Sequence, residues 1–86
     1  MRNSKKEISR LLGIRIRSLR IAAGKSMVNL AYESDMEYMQ LSRIELGQIN
    51  TSVYQLFKIS KALDVELTDL FLFKYEYRGL LGFSKK

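Results

Sequence analysis

The stretch Ser26-Met27-Val28-Asn29-Leu30-Ala31-Tyr32-Glu33-Ser34-Asp35-Met36-Glu37-Tyr38-Met39-Gln40-Leu41-Ser42-Arg43-Ile44-Glu45-Leu46 decides how this 86-residue chain folds. Ser26 is a good N-cap, because its hydroxyl can accept from a backbone N–H that the first helical turn leaves unpaired. The helix it opens runs through Leu30 and Ala31 to about Ser34, and the Asp35-Met36 step breaks it. A second helix runs from about Glu37 to Leu46, with Leu41 and Ile44 three residues apart on its buried face and Gly47 stopping it. Leu30, Met36, Leu41 and Ile44 are spaced to fill one core beneath both helices. Ala31 lies where the two would cross, and its methyl group permits close backbone approach.

Such a pair has the geometry of a helix-turn-helix, in which the first helix braces the second and leaves the outer face of the second free. Any two short amphipathic helices supply similar spacing, so the flanks matter. Upstream, Ile8, Leu12, Ile16, Leu19 and Ala23 step by four, four, three and four along one helical stripe that Gly24 ends. Downstream, Gln48 to Thr51 is a loop, and Thr51 or Ser52 caps a fourth helix. Its inner face is Val53, Leu56, Ile59 or Ser60, and Leu63. A brief fifth helix around Thr68 closes the core with Leu67, Leu70 and Phe71. Beyond it, Phe73, Tyr75 and Tyr77 alternate with Lys74, Glu76 and Arg78, a period of two that reads as a strand or extended arm with an aromatic face. The expected fold class is therefore all-α, a five-helix bundle over residues 1–72, with residues 73–86 as a short extended or β-like C-terminal arm.

Composition narrows the function. The chain is 47% apolar and 28% charged, ordinary for one small globular domain and unlike a disordered segment. Cysteine and histidine are both absent, which removes disulfides, thiolate zinc sites and the usual general base at neutral pH. The longest apolar run, Leu70-Phe71-Leu72-Phe73, is far short of the roughly 20 residues of a membrane span. No apolar signal segment follows Met1 to Lys6, so a cytoplasmic location is expected. Net charge is +6 and unevenly spread: residues 1–25 carry eight basic side chains against Glu7, residues 26–72 carry three against seven acidic ones, and residues 73–86 carry four against Glu76. Basic ends favour an anionic partner such as nucleic acid, although basic ends that merely keep the protein soluble would look the same.

Four separated motifs occur in order: Leu12-Gly13-Ile14-Arg15-Ile16-Arg17-Ser18-Leu19-Arg20 with Gly24, Leu30-Ala31, Leu41-Ser42-Arg43-Ile44-Glu45-Leu46-Gly47, and Leu56-Phe57-Lys58-Ile59-Ser60-Lys61-Ala62-Leu63. Over residues 12–71 the chain resembles the Cro/repressor-type (Xre-like, lambda repressor-like) DNA-binding domains. The resemblance implies a five-helix bundle whose second and third helices form the reading motif. It also implies a transcriptional repressor, controller protein or antitoxin, usually dimeric on a palindromic operator.

The resemblance places the base-reading face on Tyr38, Met39, Gln40 and Arg43, and helical geometry independently turns these positions away from Leu41 and Ile44. Arg43 suits guanine O6 and N7, Gln40 suits adenine, Met39 suits a thymine methyl, and Tyr38 a sugar or phosphate. Helix N-termini attract phosphate, which nominates Lys25, Ser26 and Met27 at one helix and Asn50, Thr51 and Ser52 at another. Capping alone would also explain Ser26 and Ser52. Arg20 and Glu45 match positions that form a buried ion pair in family members. Two departures stand out: Met27 occupies a position where the family commonly has a phosphate-binding glutamine, and Asp35 a turn position that is commonly glycine.

Glu33, Asp35 and Glu37 straddle a turn and read as solvated charges, and no glycine-rich phosphate loop occurs, so no enzyme is expected. The rival reading is a protein-interaction module or antitoxin-like partner binder built on the same bundle. The sequence thus predicts a sequence-specific regulator that binds double-stranded operator DNA as a homodimer paired through Phe73, Tyr75 and Tyr77. No cofactor, metal, membrane or small-molecule ligand is expected.

Overall fold

The computed structural model describes residues 4–74, and Tyr75, Tyr77 and the rest of the expected arm lie outside the described residues. Four α-helices and one short 3-10 turn follow in order: α1 (Ser4–Ala22), α2 (Met27–Glu33), α3 (Tyr38–Glu45), α4 (Val53–Leu63) and the closing turn (Leu67–Phe71). No strand occurs among the described residues. The fifth helix expected from the sequence is thus a 3-10 segment. It is capped by Asp69, whose carboxylate accepts from the Glu66 N–H at 2.9 Å.

The stripe on α1 is buried in its middle, at Leu12 and Ile16, and exposed at its ends, Ile8 and Ala23. Helix α1 packs on α3 and the closing turn, α2 on α3 and α4, and α4 on the closing turn. At the α1–α3 crossing only glycine fits: a Cβ on Gly13 would collide with the carbonyl oxygens of Ile44 and Glu45. Leu30, Ala31, Leu41, Ile44, Leu56, Ile59, Leu63 and Leu70 complete the core, with Met36 and Met27 packed half-buried against it. Val53 is an exception to the expected inner face of α4. It is 69% exposed at the first position of α4, whose buried face begins at Leu56. Phe71 is likewise exposed, leaving Leu70 as the buried residue of the closing turn.

The turn between α2 and α3 sets the angle at which α3 is presented. Asp35 takes a left-handed conformation (φ 54°), which an aspartate tolerates better than most residues. Among the bonds that hold it, Asp35 N–H donates to Tyr32 O (3.1 Å), Met36 N–H to Ala31 O (2.9 Å) and the buried Ser34 hydroxyl to Leu30 O (2.6 Å), while Lys58 Nζ reaches across from α4 to Asp35 O (3.0 Å). No helix among the described residues is long and apolar enough to cross a membrane.

Candidate nucleic-acid interface

Helix α3 turns Leu41, Ile44 and Glu45 inward. The opposite side then falls to Met39 and Arg43, one turn apart, with Leu46 a further turn along at the helix end. Met39 is 56% exposed, and Arg43 is exposed, its guanidinium making no hydrogen bond or ion pair among the described residues while its backbone carbonyl accepts from Gln48 N–H at 2.9 Å. Gln40 lies half-buried on the flank facing the loop after α3. Tyr38 is half exposed on the other flank, on the side of Arg20. Of the four expected base-readers, Met39, Gln40 and Arg43 share one depression, which Glu37 and Ile49 complete. Tyr38 leans toward the seam with α1.

Beneath that seam lies the Arg20–Glu45 pair. Arg20 Nε donates to Glu45 Oε2 at 2.7 Å and Nη2 to Oε1 at 3.1 Å, a two-pronged contact between side chains only 11% and 4% exposed. A third bond runs from Nη1 to Lys25 O at 3.0 Å. The hydrogen bond to Glu45 raises the guanidinium pKa above its ordinary value against the opposing effect of burial, and the charge of Glu45 adds to it. One end of α3 is thereby bolted to α1 by a charge-assisted fork.

The expected phosphate contacts divide. Ser26 and Ser52 cap α2 and α4, each accepting through its hydroxyl from the N–H three residues on, at 3.0 and 3.1 Å. Lys25 is tied to Glu33 at 2.8 Å, which neutralises part of its charge. The Met27 side chain packs half-buried against the core. The Thr51 hydroxyl and Gln55 Oε1 are buried with no hydrogen-bond partner, so Thr51 presents no hydroxyl to solvent. Asn50 is exposed, and folding brings it beside Lys5 and Lys6 of α1 across a hollow of about 700 Å³ that Gln48 and Ile49 also line. Gly47 makes that approach possible. It sits at φ +71°, and a Cβ there would meet the Arg10 backbone at 2.6 Å.

The sequence reading missed Ile49 and Leu46. Leu46 is 63% exposed and sits seven residues after Met39, a spacing that marks the outer stripe of α3. Ile49 carries no such signal, since it lies in an irregular loop.

Residues 16–70 match the profile of the helix-turn-helix family HTH_3. The chain is 45% identical over 62 residues to the HTH-type transcriptional regulator SlrR of Bacillus subtilis (strain 168), covering 71% of this chain but only 41% of that protein. It is 39% identical over 61 residues to the control protein C.BamHI of Bacillus amyloliquefaciens, covering 70% of this chain and 75% of that one. Among solved structures, the restriction-modification controller protein C.AhdI from Aeromonas hydrophila superimposes with a TM-score of 0.72 at 36% identity, over 73% of this chain and 96% of that one.

Proposed function

The chain belongs to the helix-turn-helix family, and on that premise we propose that it is a DNA-binding transcriptional regulator that reads operator DNA in the major groove with α3. The observation that carries this reading is the outer face of α3, where Arg43 and Met39 stand exposed on a helix whose other side is locked into the core and bolted to α1. Arg43 supplies a two-pronged donor for guanine, Gln40 a donor and acceptor for adenine, and Met39 an apolar contact. Tyr38 supports the edge of the contact near the sugar-phosphate backbone. Asn50 with Lys5 and Lys6 forms the best-supported phosphate contact, and the N-terminal ends of α2 (Ser26, Met27) and α4 (Thr51, Ser52) supply backbone N–H groups. Lys25 contributes weakly, because Glu33 holds it. The protein acts in the cytoplasm, on DNA, without catalysis.

It works as a homodimer, which would place two reading helices about 34 Å apart, one turn of duplex. The start of the arm supports this. Phe73 packs half-buried on the core at 6.5 Å from Phe71, beside an exposed Leu72, so an apolar patch begins where Tyr75 and Tyr77 continue the chain. Removing residues 75–86 is expected to weaken self-association in sedimentation, and an unchanged dimer would place the interface elsewhere.

One feature favours the rival reading of a partner-binding module. Ile14, Ile21 and Leu46 are exposed around a groove of about 710 Å³ between α1 and α3. Duplex titration across salt separates the two. A DNA reader loses affinity steeply as salt rises, because each neutralised phosphate releases counterions. The Arg43→Ala variant should also lose about 1–3 kcal/mol of preference for one duplex over a scrambled one. Absence of both effects would favour the partner binder.

A further inference from the structure

The depression on the flank of α3 holds about 350 Å³ and is walled by two apolar side chains, Met39 and Ile49, and three polar ones, Glu37, Gln40 and Arg43. Its two apolar walls differ in stiffness. Met39 is more than half exposed and unbranched, so it adapts to what lies against it. Ile49 comes from the loop between α3 and α4 and is packed against the core on its other side, so it forms a fixed surface. Packing accounts for Ile49 but not for Met39, which is 56% exposed on a flank of α3 that a polar residue would cover more favourably.

The depression is continuous with the surface that carries Arg43. A major groove that meets this surface offers few apolar features, and the prominent one is the methyl group on C5 of a pyrimidine, carried by thymine. 5-Methylcytosine carries the same group, whereas uracil and unmodified cytosine present only C5–H. We propose that Met39 and Ile49 form a receptor for a pyrimidine 5-methyl group on the base step next to the guanine held by Arg43. The inference rests on the DNA-reading function above and deepens it. It fixes the chemistry read at one operator position and adds Ile49, outside the helix-turn-helix, to the residues that set specificity. Gln40 and Arg43, which line the same depression, supply polar contacts to the flanking base edges.

The test uses the full chain and a duplex recovered by selection from a random pool. Each thymine of the half-site is replaced in turn by deoxyuridine, and separately by cytosine and by 5-methylcytosine, both opposite guanine. At one position per half-site, loss of the methyl group is expected to weaken binding about fourfold, the transfer value of a single methyl group. At that position 5-methylcytosine should bind more tightly than unmodified cytosine opposite the same guanine, because only the methyl group differs between the two, and equal binding of the two would count against the receptor. In Met39→Ala the thymine-to-deoxyuridine ratio should fall close to one, and in Ile49→Val it should fall partway. Because the ratio is taken within one variant, a general loss of folding or of phosphate contact leaves it unchanged. Equal affinity for thymine and deoxyuridine at every position in the unaltered protein would overturn the inference, as would a full ratio surviving in both variants. A pool that yields no enriched duplex at all would instead overturn the DNA-reading function on which it rests.

Discussion

Replacing Glu45 with alanine should unfold much of this protein's stability margin. The substitution removes two charge-assisted hydrogen bonds, at 2.7 and 3.1 Å, and leaves the Arg20 guanidinium in a site where its side chain is 11% exposed. Only the bond to Lys25 O remains. Breaking a buried pair by deleting one partner costs about 3–5 kcal/mol, because the remaining charge is neither solvated nor matched. Two hydrogen bonds to charged groups, at about 1.5–3 kcal/mol each, lead to a similar figure. A domain of this size has about 4–13 kcal/mol in total, so the loss is a large share of it. The melting temperature should fall by roughly 15–30 °C. Urea unfolding followed by far-ultraviolet circular dichroism measures this, with the slope against denaturant unchanged if only stability is affected. The double variant Arg20→Met with Glu45→Leu should recover most of the loss, since apolar residues of similar volume replace such pairs at little cost. A Glu45→Ala protein that melts within about 3 °C of the original would refute the reasoning, and so would a double variant no better than the single one.

Other outcomes follow from the same geometry. Gly13→Ala should destabilise by more than about 3 kcal/mol or abolish folding, as its Cβ would meet backbone carbonyls that cannot move without separating α1 from α3; thermal melting decides it. Asp35→Ala should cost about 1 kcal/mol while Asp35→Gly is neutral or stabilising, because only the left-handed turn at φ 54° distinguishes them. Stability should be flat between about pH 6 and 9. The chain has no histidine, and a cation with a raised pKa, as at Arg20, contributes fully below its unfolded value and loses that contribution only as pH rises through the folded one, beyond the ordinary arginine range. Changing Lys5 and Lys6 together to alanine should lower the slope of log affinity against log salt by about 1–2, with sequence preference intact.

The helices were readable because their signals are local and redundant. Ser26 and Ser52 mark where α2 and α4 begin, Gly24 and Gly47 fall at positive φ where α1 and α3 end, and the buried faces follow the spacing of Leu12 with Ile16, Leu41 with Ile44 and Leu56 with Leu63. Where periodicity met the edge of the core it lost its meaning. Val53 has the right spacing for the inside of α4 but is its first residue, ahead of the first buried position at Leu56, and Phe71 is the last residue of the short 3-10 turn. Nothing in the local sequence could show that Lys25 spends its charge on Glu33, that Lys58 supports the Asp35 turn from 23 residues away, or that Lys5 and Lys6 line one hollow with Asn50. Those depend on how the helices pack. Ile49 belongs to the same group, since its place beside Met39 comes from the path of a loop.

Selection of bound duplexes from a random pool at physiological salt, run in parallel on the unaltered chain and on Arg43→Ala, puts the outer face of α3 to the most direct test. The unaltered protein should enrich a palindromic consensus containing a guanine in each half-site, and Arg43→Ala should retain binding while losing the preference at that guanine. Recovery of unenriched sequence by the unaltered protein, or an identical consensus from both, would contradict the assignment of α3 as the reading surface.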